Sequence, residues 1–218
     1  MVVGKLTEPS KGRIKGHGTV ILAFATLFSI TLVVAHIIEP EMNFGPLSLY
    51  SLGPYGIVMR TGFTVFGFAF FSLVAGLWGK AKPTILYTVD MVVLSIAGAG
   101  LVTVGAFNTD ASGAAPSLSG LIHASAANVW SICAVVGILL FAVAFRQDGK
   151  RLAIGRLSRN LGIAAMITYI GGFFVFGTYL AAVQPRLFFT LVVLWMAILA
   201  KQLRSGKLTR VAVIHGND

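Results

Sequence analysis

Residues 19–38 read TVILAFATLFSITLVVAHII, a run in which His36 is the only side chain able to carry a charge. A helix rises about 1.5 Å per residue, so a run of this length reaches across a hydrocarbon core about 30 Å thick. The pattern recurs at Ile57–Trp78, Thr84–Phe107, Leu121–Phe145, Leu161–Val183 and Leu187–Leu203. The last run is short, with Arg186 and Lys201 near its ends able to snorkel. The sequence therefore predicts an all-α polytopic membrane protein, a bundle of six transmembrane helices over residues 19–203. A basic arm (residues 1–18) and a basic tail (residues 204–218) flank it. Composition agrees: 56% of the 218 residues are hydrophobic and 11% charged, against about 25% charged in a soluble domain, which excludes a soluble enzyme. The first run exceeds the usual signal-peptide core and meets no small-residue cleavage site before Glu39-Pro40-Glu41, so it is expected to stay as an anchor.

The net charge of +10 would suggest nucleic acid in a soluble chain. Here the basic residues sit between the apolar runs and report topology. Fifteen of the seventeen Lys and Arg fall on one side, in the arm (Lys5 to Lys15), at Lys80 and Lys82, in Arg146–Arg159 and from Lys201 to Arg210; Arg60 and Arg186 fall on the other. The positive-inside rule makes the crowded side, with both termini, cytoplasmic. Residues 39–56, 108–120 and a tight Gln184–Pro185 turn then face outward.

Small residues form stripes: Gly62, Ala69, Ser72, Gly76 and Gly79 on the second run, Ser95, Gly98, Gly100 and Gly105 on the third, Gly171, Gly172 and Gly177 on the fifth. Such residues let helices approach closely in lipid, where dispersion replaces the hydrophobic effect. They read as packing seams, with a hinge at Gly171-Gly172 as the other reading. The single cysteine, Cys133, excludes an intrachain disulfide and a cysteine metal cluster.

Charges inside a membrane are costly and are retained where something pairs or uses them. Asp90, two turns into the third run, reads either as an ion pair or hydrogen bond with Lys80, Lys82 or Asn160, or as a proton- or ion-handling group. The remaining ionisable groups gather at the outward side: His36, Glu39, Glu41, Arg60, Asp110, His123 and Arg186. His36 and Glu39, three apart, share a helix face if the first helix continues that far. Asp110 and His123 are separated by turn formers that fold the loop back, so the two are expected to interact. Arg186 is expected to point into the bundle and bridge Asp110 or Glu39. Against this stands the plainer reading that these groups only satisfy helix ends. Two His with Asp and Glu also match a zinc ligand set, though no HExxH-type spacing supports it. A haem between His36 and His123 is chemically conceivable. Ser48, Ser51, Ser117 and Ser119 lie near enough for a serine nucleophile, with nothing to fix its geometry.

Three motifs occur in order. The first is Leu47-Ser48-Leu49-Tyr50-Ser51-Leu52-Gly53 followed by Gly56 and Arg60-Thr61-Gly62. The second is Val104-Gly105-Ala106-Phe107-Asn108-Thr109-Asp110 followed by Gly120-Leu121-Ile122-His123. The third is Gln184-Pro185-Arg186-Leu187 running to Leu194-Trp195. Together they resemble the membrane family called domain of unknown function 998, with Asn108 standing where proline is expected before the Thr-Asp pair. The resemblance implies a six-helix bundle in a prokaryotic plasma membrane, implies no activity, and puts Tyr50, Ser51, Gly53, Asp110, His123 and Arg186 on matching positions.

The leading functional expectation is an outward-facing polar pocket for an anionic or amphiphilic ligand, in a binding or transport-accessory role, formed by His36, Glu39, Tyr50, Ser51, Arg60, Asp110, His123 and Arg186. The alternatives are a metal-dependent intramembrane hydrolase using His36, Asp110 and His123, and a small accessory subunit of a larger membrane complex. The partners expected are membrane lipids and, through the glycine seams, a membrane protein or a second copy of the chain, with no nucleic acid. The residues leave the cofactor undetermined, a metal or haem included.

Overall fold

The computed structural model describes residues 11–78, 84–146, 152–174 and 178–208. These residues hold six long helices, α1 (Lys11–Ile38), α2 (Gly56–Leu77), α3 (Ile85–Ala106), α4 (Leu118–Arg146), α5 (Leu152–Phe174) and α6 (Thr178–Arg204), with two short 3₁₀ segments at Pro40–Met42 and Leu47–Leu52. The fold is all-α among the described residues, as expected. Each helix packs on the next in sequence, and α6 closes the ring against α1.

Five of the helices are long and apolar enough to cross a membrane; α5 is the exception. Its first turns carry Arg156, Arg159 and Asn160, and from Leu161 to Phe174 an apolar stretch of about 21 Å remains at 1.5 Å per residue.

The second, third and fourth runs match α2–α4 closely, whereas the start of the first and the bounds of the last two differ. The expected tight turn at Gln184–Pro185 does not exist: Pro185 lies inside α6, which begins at Thr178. Proline cannot donate to the carbonyl four residues back, and membrane helices tolerate this when other donors serve the loosened turn. Here the Arg186 guanidinium Nη1 donates to the next carbonyl, Ala182 O, at 2.5 Å. At the other end, α1 already begins at Lys11, so residues 11–18 form its first two turns.

The core is aromatic on the side where α1, α2, α4 and α6 meet. Phe28 stacks on Phe66 with centroids 4.7 Å apart, and Trp130 stacks on Phe189 at 4.4 Å. The small residues are the complement of these rings. A Cβ on Gly62 would sit 2.3 Å from Thr31 Oγ1 of α1, and one on Gly67 would sit 2.8 Å from the Gly98 carbonyl of α3. Gly100 and Gly105 likewise lie against α4 and α2, so these seams are filled from within the chain. Gly171 differs, with no atom of a described residue within 4 Å of a Cβ there. Gly79 and Gly177 lie outside the described residues.

Candidate functional site

α1 ends at Ile38, but Glu39 still donates its N–H to Ala35 O, so His36 and Glu39 belong to the same last turn. Pro40 then starts a 3₁₀ turn, and Pro46 leads into the 3₁₀ segment that carries Tyr50 inward, 1% exposed. Across from these, Arg186 stands in the third turn of α6. Its Nε donates to His36 Nε2 at 2.8 Å, Nη1 to Gly45 O at 2.9 Å, and Nη2 to the Tyr50 hydroxyl at 3.3 Å. Its guanidinium carbon lies 5.9 Å from the centroid of the Tyr50 ring. Tyr50 donates in turn to Asn43 Oδ1 at 2.5 Å, and Asn43 Nδ2 donates to His36 O at 3.4 Å.

The hydrogen-bond directions fix the tautomer of His36. Leu32 O, 2.7 Å from Nδ1, can only accept, so Nδ1 carries the proton; Arg186 Nε–H can only donate, so Nε2 offers a lone pair. His36 is thus a neutral acceptor, and all four partners of the half-buried Arg186 are neutral. A guanidinium has five N–H donors; among the described residues four are engaged, leaving one on Nη2. Burial pushes the Tyr50 hydroxyl above its ordinary value, and the facing Arg186 opposes part of that rise.

Glu39 lies at the same end, 2% exposed, and does not bond Arg186. Its Oε1 accepts the Tyr55 N–H at 2.8 Å, tying α1 to the start of α2, while Oε2 is buried without a hydrogen-bond partner. Gly53 lies directly against it, and a Cβ there would sit 2.1 Å from Oε2 and displace the carboxylate.

Asp110 and His123 form a separate corner between α3 and α4. Asp110 accepts from the Ser117 N–H at 3.0 Å and from the Ser117 hydroxyl at 2.6 Å, and Ser117 Oγ accepts from the Gly120 N–H at 3.0 Å. The acid therefore ties together the first turn of α4. The two Ser117 hydrogen bonds hold its carboxyl below the usual value, with a weaker contribution from the charge of His123. His123, 3% exposed, donates from Nδ1 to Phe107 O at 2.8 Å. Arg60 serves the same helix end, with Nε on Gly105 O at 3.0 Å and Nη2 on Ala106 O at 2.8 Å. These last carbonyls of α3 lack helical donors and carry the negative end of its dipole.

The structure thus brings His36, Tyr50 and Arg186 together and adds Asn43 and the Gly45 carbonyl, which side-chain motifs in the sequence did not single out. It places Glu39 nearby, and sets Arg60, Asp110 and His123 on the α3–α4 corner. Arg186 bridges neither Asp110 nor Glu39. Ser51 turns onto its own segment, donating to Ser48 O at 2.6 Å. Among the described residues, no three His, Cys, Asp or Glu side chains converge as metal ligands. Two hollows, of about 490 and 380 Å³, lie on apolar faces of α3 with α4 and of α2 with α3, away from the Arg186 cluster.

The family model described as "Protein of unknown function (DUF998)" matches residues 18–201. The chain belongs to this family. The match runs from the first turns of α1 to the last of α6, so the Arg186 cluster and the α3–α4 corner are both inside the DUF998 region. No curated protein and no solved structure matches the chain.

Proposed function

We propose that this DUF998 protein crosses a prokaryotic plasma membrane six times, α5 included, with both termini cytoplasmic, and that the end holding Arg186 faces outward and binds the anionic group of an amphiphilic ligand. The basic residues support the orientation, since fifteen of seventeen cluster at the opposite side and follow the positive-inside rule. For α5, Arg156 and Arg159 are exposed at its start and long enough to snorkel to headgroup level.

One observation carries the ligand reading. Among the described residues Arg186 is a half-buried cation whose protein partners are all neutral, and one N–H of Nη2 is uncommitted. A guanidinium is suited to carboxylate and phosphate oxygens, to which it donates charge-assisted bonds. His36, Tyr50 and the Gly45 and Ala182 carbonyls fix its plane, so the remaining N–H is pre-oriented. A metal-dependent hydrolase is not carried forward, because His36 stands on Arg186 while Asp110 and His123 sit on the other corner.

The test is thermal unfolding of purified protein in neutral detergent, titrated with anionic or with zwitterionic phospholipid. A ligand that binds only the folded state raises the midpoint by mass action, about 2.7 kcal/mol at a hundredfold excess over its dissociation constant. The expected result is a rise with anionic lipid that Arg186→Gln removes. An equal rise in parent and variant would show that the lipid acts elsewhere.

A further inference from the structure

Asp90 lies on α3 near the end of the bundle opposite the Arg186 cluster, about 7–8 Å along the axis from Ile85 at 1.5 Å per residue. It is 0% exposed, and neither carboxyl oxygen has a hydrogen-bond partner among the described residues. The groups that could neutralise it are few. On α3 itself, Tyr87 donates its hydroxyl to Leu77 O. On α2 the one ionisable side chain, Arg60, is held at the far end of α3 on Gly105 and Ala106, about 22 Å away along the axis. On α4, His123 is bound at that same far end to Phe107 O, and Cys133 is half-buried mid-helix. Lys80 and Lys82, with which a pairing was expected, lie outside the described residues, as does the side chain of Arg146. Asn160, the other expected partner, accepts from Arg159 instead.

Among the described residues an ionised carboxylate here gains neither a counter-charge nor a donor for the water it has lost, which is prohibitively costly. A metal cation as the neutralising group needs several oxygens around it, and no such group of side chains converges among the described residues. A proton needs only the carboxyl itself. Nor does Asp90 serve as a structural tie, because a structural acid is hydrogen-bonded and this one has no partner among the described residues.

We propose that Asp90 is a proton-binding site of the membrane interior, carrying one proton as a neutral carboxylic acid in the closed bundle. Ionisation leaves the carboxylate and passes the proton to water, so it requires water to reach the start of α3. The site is independent of the ligand reading at the Arg186 end, and its test does not involve that ligand.

The test is infrared spectroscopy of the full chain in lipid vesicles at neutral pH, comparing the parent with Asp90→Asn and Asp90→Glu. One carbonyl-stretch band of a buried protonated carboxylic acid should be present in the parent, vanish in Asp90→Asn and move in frequency in Asp90→Glu. Asp90→Asn, a neutral isostere of the acid, should also melt close to the parent. Should Asp90→Asn fail to fold, the band and its frequency shift in Asp90→Glu decide the matter. A parent spectrum with no band that Asp90→Glu moves would overturn the proposal. So would a loss of stability in Asp90→Asn matched by Lys80→Gln, Lys82→Gln or Arg146→Gln, since that pattern marks an ionised Asp90 paired to a cation.

Discussion

Arg186 shows why residue type matters more than charge at this site. Its planar fork reaches His36 Nε2, Gly45 O and Tyr50 in three directions while also serving Ala182 O. Lysine has a single rotating ammonium and cannot keep that set. Arg186→Lys should lower the thermal midpoint in detergent despite the retained charge, and Arg186→Gln should lower it further, by the equivalent of about 1–3 kcal/mol for partners left unsatisfied; unchanged melting of both would show that Arg186 only snorkels. Asp110 supports a pH expectation. Ser117 holds its carboxyl below the ordinary value, so the folded state binds that proton less readily than the unfolded chain. The stabilisation is therefore present above about pH 4, the ordinary Asp value, and is lost as pH falls through the lowered folded-state value. Melting followed against pH should show this acid loss in the parent and a flatter profile in Asp110→Asn. A parallel loss in both would assign it to another carboxylate.

Helix seams can be tested by adding one carbon. Gly67→Ala pushes a Cβ to 2.8 Å from the Gly98 carbonyl, a backbone atom that cannot rotate away, so a cost of about 1–3 kcal/mol is expected, typical of overpacking. Gly171→Ala meets no atom of a described residue within 4 Å and replaces a poor helix former with the best one, so it should melt at or above the parent. Equal effects at the two positions would contradict the packing described. The same scale shows what was legible. The first four runs were readable because apolar length and flanking turn residues agree: Ile57–Trp78 became Gly56–Leu77, and Thr84–Phe107 became Ile85–Ala106. The fifth and sixth were misplaced because Arg156 and Arg159 look like loop residues and Pro185 looks like a helix stop, whereas Pro185 is accommodated inside α6. Within the site, the gathering of His36, Tyr50 and Arg186 at one end followed from topology. Their actual partners did not, because the Leu32, Gly45 and Ala182 carbonyls are backbone groups that no side-chain motif reveals, as are the Gly105 and Phe107 carbonyls that accept from Arg60 and His123.

At the scale of the whole molecule, the ring of antiparallel helices puts Arg186, Arg60 and Asp110 at one end and Asp90 near the other. Orientation decides what that means. In a Cys133→Ala background, single cysteines at Ala114 and Ser205, both exposed, should react with an impermeant thiol reagent from outside and only after permeabilisation, respectively. The reverse pattern would turn the Arg186 end toward the cytoplasm and remove the outward site. The central claim, that Arg186 awaits an anionic group, is tested most directly by an experimental density map of the protein purified from its own membrane. The account expects density for an anionic headgroup within hydrogen-bond distance of Arg186 Nη2, with His36, Tyr50 and Gly45 still in place around it. A map in which the Glu39 or Glu41 carboxylate closes on Arg186 and completes its donors would contradict it.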